Sequence, residues 1–169
     1  MSKITLIIGG QRSGKSSFAQ KLALSLSNRP VYIATSRIWD DEYSMRIKRH
    51  KADRGDKWIN VEEEKFLSKH EFPGGVIVID CVTLWATNFF FDLGSDVESA
   101  LESLKHEFER FISQEAKFIF VSNEIGLGGV SENTIQRKFT DLQGWLNQYI
   151  ADRADEVFFM AAGIPIKIK

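Results

Sequence analysis

One cysteine, three prolines and three histidines are all that the 169 residues contain of the types that staple, stiffen or metallate a chain. The single cysteine, Cys81, forms neither an internal disulfide nor a multi-cysteine metal site, which agrees with a reducing compartment. No apolar run approaches the roughly 18 residues of a membrane span, and the run at residues 4–8 is too short for a signal-peptide core. A cytoplasmic protein without a membrane span is therefore expected. Neither charge sign is in surplus: 22 Lys and Arg face 23 Asp and Glu, a net charge of −1. No global basic field points to nucleic acid as partner. Repeats, low-complexity tracts and proline-rich linkers are missing as well, so a single domain over residues 1–169 is expected.

What is present is a series of short, unbroken apolar runs separated by helical periodicities. Residues 4–8, 31–34, 76–79, 118–121, 157–160 and 164–168 read as strands, with a further one at 57–61. Residues 15–26 place Phe18, Leu22 and Leu26 at helical spacing, with Ala19 and Ala23 beside them. The stretch from 40 to about 54 is polar and helical in propensity. Residues 97–111 and 135–150 repeat apolar side chains on one face: Val97, Leu101, Leu104, Phe108 and Phe111 in the first, and Phe139, Leu142, Leu146 and Ile150 in the second. Continuous rather than alternating apolar strands imply burial on both faces, hence an α/β fold with a mainly parallel sheet flanked by helices and a strand pair at the C-terminus. Ligands of such sheets sit beyond the carboxyl ends of the strands, which directs attention to the residues after Ile8, Ala34, Ile79 and Val121.

The segment Gly9-Gly10-Gln11-Arg12-Ser13-Gly14-Lys15-Ser16 matches G-x-x-x-x-G-K-[ST], between a predicted strand and a predicted helix. Glycines let the backbone curl so that successive N–H groups face phosphate oxygens, and the helix beginning near Lys15 adds its partial positive charge. Lys15 is then placed for the β- and γ-phosphates, and Ser16 as a ligand of Mg²⁺. Asp80 closes the strand at 76–79. An aspartate there serves a turn in many strands; beside a phosphate loop, the reading favoured is a second acidic group holding Mg²⁺ through water.

Between residues 46 and 54 the chain carries Arg46, Lys48, Arg49, His50, Lys51 and Arg54, and on a helix Arg46, His50 and Arg54 share one face. A solvated basic face is one reading. The other is a cationic wall for a polyanionic ligand, where neighbouring cations disfavour a protonated ring and leave His50 able to act as a nucleophile. The residues alone leave both open. His70, in a polar loop, and His106, on the polar side of its helix, receive no role.

The ordered set of motifs resembles one family, the bifunctional adenosylcobinamide kinases/adenosylcobinamide-phosphate guanylyltransferases of cobalamin biosynthesis. The resemblance runs nearly end to end. It is carried by the phosphate loop, Tyr32-Ile33-Ala34-Thr35-Ser36, Arg46-Ile47-Lys48-Arg49-His50-Lys51, Asp80-Cys81-Val82-Thr83-Leu84-Trp85, Thr87-Asn88 and Val121-Ser122-Asn123-Glu124-Ile125-Gly126. Nearer the C-terminus follow Glu132-Asn133, Arg137, Phe139, Asp141, Gly144, Asn147-Gln148, Ala154-Asp155-Glu156-Val157 and Gly163-Ile164-Pro165. The resemblance implies a single-domain P-loop NTPase fold with a RecA-like sheet, assembled as a homotrimer. It implies phosphorylation of adenosylcobinamide with ATP or GTP, then transfer of GMP from GTP onto that phosphate through a guanylyl-histidine, which the motif places at His50. Nucleotide binding is implied for Ala34, Thr35 and Ser36, for Lys51, Ala52, Asp53 and Arg54, and for Glu62 and Asp80, beside Gly9 to Ser16. Glu124 and Asp80 are both candidates for the kinase base.

The sequence departs from the family pattern at Gly129, where a bulkier residue is expected, and at Ser131, which stands in place of a proline. A more mobile loop is expected there, bearing on corrinoid contact and not on the nucleotide chemistry. Two other readings fit the phosphate loop: a small-molecule kinase with no transfer step, and a RecA-like ATPase module acting on a protein partner.

Overall fold

The computed structural model describes residues 2–38 and 40–169, apart from the side chain of Arg46. The apolar runs form strands β1 (Lys3–Gly9), β2 (Val31–Ala34), β3 (Ile59–Glu62), β4 (Val76–Asp80), β5 (Lys117–Asn123), β6 (Glu156–Ala161) and β7 (Ile164–Lys167). They make one sheet in the order β3-β2-β4-β5-β1-β6-β7. All neighbours pair in parallel except β6 and β7, which form the expected C-terminal antiparallel pair. Strand β5 lies between β1, which leads into the phosphate loop, and β4, which ends in Asp80. At the usual strand spacing this sets the two about 10 Å apart.

The helices are α1 (Lys15–Leu26), α2 (Asp41–Arg54), α3 (Val82–Asp92), α4 (Val97–Ile112) and α5 (Thr134–Arg153). Successive strand residues face opposite sides, so the sheet feeds two separate cores. Leu6, Ile33, Ile77, Ile79, Phe118 and Phe120 pack with α3, α4 and α5, whereas Ile7, Tyr32, Val78, Ile119 and Val121 pack on the side of α1. Burial on both faces is why these strands read as unbroken apolar runs. The larger core is aromatic: Phe111 meets Phe118 and Phe108 meets Phe120, both at ring-centroid separations of 5.2 Å. No helix among the described residues is long and apolar enough to cross a membrane.

Three local features differ from the sequence expectations. In α1 the buried face is Ala19 and Ala23, while Leu26 is exposed; small residues let this helix lie close on the sheet. The third strand begins at Ile59 rather than Lys57, because residues Gly55–Lys57 form a 3-10 turn started by Gly55 at a φ of 66°. Helix α3 was not expected at all. Val82, Trp85, Ala86, Phe89 and Phe90 are buried, and a helix with apolar residues on most sides shows no amphipathic period to read.

Helix α2 follows ordinary capping rules. The Asp40 carboxylate accepts from Tyr43 N at 2.7 Å, Asp41 and Glu42 occupy the first turn, and Lys51 and Arg54 the last. This fixes the direction in which the basic segment runs.

Candidate functional site

Helix α1, like α3 and unlike α2, α4 and α5, has no side-chain cap at its N-terminus. Its N-cap is Gly14, at a φ of 93°, and no side chain caps it. The first N–H groups of the helix are therefore left for an anion. Gly14 is required twice over. Its φ favours glycine, and a Cβ there would lie 3.0 Å from the Cα of Gly163. Gly163 N in turn donates to the carbonyl of Ser13 at 2.9 Å. The β6–β7 turn thus buttresses the phosphate loop, a contact between residues 150 positions apart that no local sequence signal reveals.

Lys15 is buried and its Nζ donates to the Gly10 carbonyl at 2.5 Å. Burial lowers its pKa from the ordinary lysine value, with the neighbouring Cys81 and Asp80 opposing that shift. Ser13 Oγ is buried without a hydrogen-bond partner, the kind of orphaned donor that an anion oxygen satisfies. Together with the uncapped helix terminus, it fits the phosphates of a nucleotide.

Ser16 Oγ donates to Asp80 Oδ2 at 2.8 Å, bridging the gap left by β5. Among the described residues no donor reaches Oδ1 of Asp80. A hydroxyl held by one carboxylate oxygen, with the second oxygen open, is a donor set suited to a hard cation such as Mg²⁺. Burial pushes the pKa of the adjacent Cys81 thiol up to about 12.

A cavity of about 300 Å³ opens beside this pair, lined by Ser16, Tyr32, Ser36, His50, Arg54 and Asp80 among others. The structure therefore brings the phosphate-loop serine, the acidic strand end and the histidine of α2 to one space. Ala34 lines it too. Thr35 lies behind it, fully buried, its Oγ1 donating to the Cys81 carbonyl at 2.7 Å. Asn88 holds the same segment by donating to the carbonyls of Thr35 and Glu64. Lys51, Ala52 and Asp53 are exposed and do not line the cavity; Lys51 pairs with exposed Glu62 at 3.5 Å. The expected sharing of a face by Arg46, His50 and Arg54 holds for the last two; the side chain of Arg46 lies outside the described residues. Glu124 follows β5, and its backbone N donates to the Gly9 carbonyl at 3.0 Å.

Sequence reasoning assigned no role to Tyr32. Its hydroxyl donates to Asp80 Oδ2 at 2.5 Å, the oxygen that Ser16 also contacts, and its ring lies 3.7 Å under the Arg54 guanidinium. Inside an apolar strand it reads only as a core residue. At Gly129 the backbone adopts a φ of 101°, a conformation that accounts for glycine in that place. The Ser131 hydroxyl accepts from Asn133 N and donates to Gln136, so the segment carries local hydrogen bonds of its own.

Comparison with known proteins gives the same direction from family and fold. Residues 5–168 match the family described as cobinamide kinase / cobinamide phosphate guanyltransferase. The chain is 37% identical to the bifunctional adenosylcobalamin biosynthesis protein CobU of Escherichia coli, over 97% of this chain and 98% of that one. It is equally 37% identical to the bifunctional adenosylcobalamin biosynthesis protein CobP of Pseudomonas aeruginosa, over 97% and 96%. Among solved structures, the flagellar accessory protein FlaH of Methanocaldococcus jannaschii aligns with a TM-score of 0.53 at 14% identity, over 99% of this chain and 78% of that one. An ATPase of a bacterial type III secretion system aligns with a TM-score of 0.56 at 12% identity, over 98% and 56%. At such identities these two speak to the fold alone.

Proposed function

The chain belongs to the cobinamide kinase / cobinamide phosphate guanyltransferase family and is a bifunctional enzyme of adenosylcobalamin biosynthesis, and we propose that the cavity beside the phosphate loop serves both reactions. The observation that carries this reading is the lining of that cavity. Ser16 and Asp80, joined by a hydrogen bond, line it together with His50 and Arg54 of helix α2.

In the kinase reaction, Gly9 to Ser16 cradle the triphosphate of ATP or GTP. Lys15 leaves its contact with Gly10 for the β- and γ-phosphates. The side-chain hydroxyl of adenosylcobinamide attacks the γ-phosphorus, its proton passes to a base for which Glu124 and Asp80 are the candidates, and the nucleoside diphosphate departs. Ser16 and Asp80 are the residues that would hold Mg²⁺. Bound there, the ion supplies neutralisation of the charge that develops on the phosphate oxygens.

In the transferase reaction, a ring nitrogen of His50 attacks the α-phosphorus of GTP. The N–P bond forms as the P–O bond to pyrophosphate breaks. A phosphate oxygen of adenosylcobinamide phosphate then attacks the same phosphorus, the N–P bond breaks, and adenosylcobinamide-GDP leaves with the histidine restored. Splitting one displacement into two is what nucleophilic catalysis contributes. Arg54 is placed to hold phosphate oxygens in this sequence.

Assembly as a homotrimer, implied by the resemblance, is part of the proposal. It is supported by apolar side chains left in solvent: Leu127 is 73% exposed, Val130 88% and Trp145 49%. Sedimentation equilibrium at micromolar concentration should give three times the chain mass, and a stable monomer would count against it.

The function is tested by incubating the protein with adenosylcobinamide, Mg²⁺ and either ATP or GTP, and following the corrinoid by mass spectrometry. The phosphate should appear with either nucleotide and the GDP product only with GTP. Nucleotide hydrolysis with an unmodified corrinoid would point instead to an ATPase module. A phosphate product that never advances would leave only a kinase.

A further inference from the structure

Tyr32 touches two other residues of the cavity lining, Asp80 and Arg54. It sits on β2, is 7% exposed, and packs its ring edge-on against Trp58 at a centroid separation of 5.7 Å. Phenylalanine would fill that space equally well, so packing does not explain the hydroxyl. A buried phenol needs a partner, and this one donates to Asp80 Oδ2 at 2.5 Å, where Ser16 Oγ also donates at 2.8 Å.

Two donors from two different elements, α1 and β2, therefore grip one oxygen of Asp80 and none of the described residues takes the other. A lone carboxylate at a strand end turns freely between its two oxygens; one gripped in this way presents a single, fixed oxygen.

The ring serves helix α2. The Arg54 guanidinium stacks over it at 3.7 Å, and Arg54 Nε donates to Asn60 Oδ1 at 2.9 Å. Arg54 is thereby fixed between β2 and β3, one helical turn from His50 on the same face of α2. Whatever holds Arg54 also holds the end of the helix that carries the histidine.

We infer that Tyr32 is a positioning residue for both reactions, its hydroxyl orienting Asp80 toward Mg²⁺ and its ring docking Arg54 and the end of helix α2. The first half rests on the reading that Ser16 and Asp80 hold the metal, and the second on His50 as nucleophile. A single residue thus ties the geometry of the cation site to that of the transfer helix, and its two functions separate by substitution. Tyr32→Phe removes the hydroxyl and keeps the stack, whereas Tyr32→Leu removes both.

The test has two readouts. The first is binding, without turnover, of guanosine 5′-(α,β-methylene)triphosphate, whose α–β bridge His50 cannot break, in EDTA and in excess Mg²⁺. Wild type should bind more tightly with Mg²⁺, and in Tyr32→Phe that Mg²⁺-dependent gain should shrink on the order of tenfold, as expected for loss of a hydrogen bond to a charged group. The second is the rate of self-labelling from α-labelled GTP at saturating Mg²⁺. Tyr32→Leu should fall about tenfold below Tyr32→Phe, the scale of a lost cation–π contact. Arg54→Lys, which leaves the strand core intact, should reproduce that loss if Tyr32→Leu unfolds. Tyr32→Phe retaining the full gain, or Tyr32→Leu and Arg54→Lys both labelling as fast as Tyr32→Phe, would overturn the inference alone. A wild type with no Mg²⁺-dependent gain would overturn the metal reading and the inference with it.

Discussion

Lys15 Nζ donates to the carbonyl of Gly10, so the cation at the end of the phosphate loop closes back on the loop's own beginning. The contact spans five residues and occupies the concavity in which a phosphate would lie. A nucleotide must therefore exchange a charge-assisted hydrogen bond to a carbonyl for one to a phosphate. Two charged partners in place of one make that exchange favourable.

The exchange sets a pH dependence. Burial lowers the Lys15 pKa below its ordinary value of 10.5. Phosphate binds the charged form, so affinity is full below the Lys15 pKa of the free protein and falls as pH rises through it. The dissociation constant for GTP should begin to rise at a pH below that of an ordinary lysine. Lys15→Arg, whose charge persists, should show no such rise. Lys15→Ala should lose both activities by orders of magnitude with little change in melting temperature, since alanine is the better helix former. An alanine variant with wild-type activity would remove the loop from the mechanism.

The strands, the amphipathic helices and the phosphate loop were legible because each is written in consecutive residues. An apolar run is a strand buried on two faces, and G-x-x-x-x-G-K-S is a loop whose spacing is its chemistry. What was not legible depends on residues far apart. Helix α3 hid because its burial erases the amphipathic period. The β6–β7 turn at Gly163 gives no local sign that it supports Gly14. Tyr32 looks like any strand aromatic until Asp80 and Arg54 are brought to it. The basic segment left His50 between a solvated face and a site wall, and only the tertiary arrangement puts it on the lining of the cavity.

Asn88 supplies a stability prediction. It is 2% exposed, and its Nδ2 donates to Thr35 O at 2.8 Å and Glu64 O at 3.0 Å, stapling the segments that follow β2 and β3. Asn88→Ala leaves two carbonyls without that donor and should cost about 1–3 kcal/mol. In a domain of this size each kcal/mol lowers the melting temperature by about 2–4 °C. Asn88→Asp should do worse, because it buries a charge and donates nothing. Ser36 adjoins Thr35 and lines the cavity, so the KM for GTP should rise in the alanine variant. Thermal unfolding at the wild-type temperature would show that the staple is dispensable.

The strongest prediction concerns His50. It lines the same cavity as Arg54, one turn away, and as Ser16 and Asp80, so a GTP held by the phosphate loop would have a histidine and an arginine in the space beside it. Arginine stays charged at any working pH and can hold two phosphate oxygens at once. That orients the α-phosphorus without competing for it. The product of attack is a phosphoramidate, stable in alkali and labile in acid, which distinguishes it from a serine phosphoester with the opposite stability. Protein incubated with Mg²⁺ and α-labelled GTP should carry label after denaturation, survive base and lose it in acid. Label from γ-labelled GTP should not appear, because that phosphate leaves with pyrophosphate. His50→Ala should carry none, yet keep part of its kinase activity, since in the proposed mechanism the γ-phosphate meets Lys15 and not His50. Adding adenosylcobinamide phosphate to labelled wild type should move the label into the corrinoid. Label that persists in His50→Ala, or that resists acid, would mean that another group is the nucleophile and that α2 only orients the phosphates.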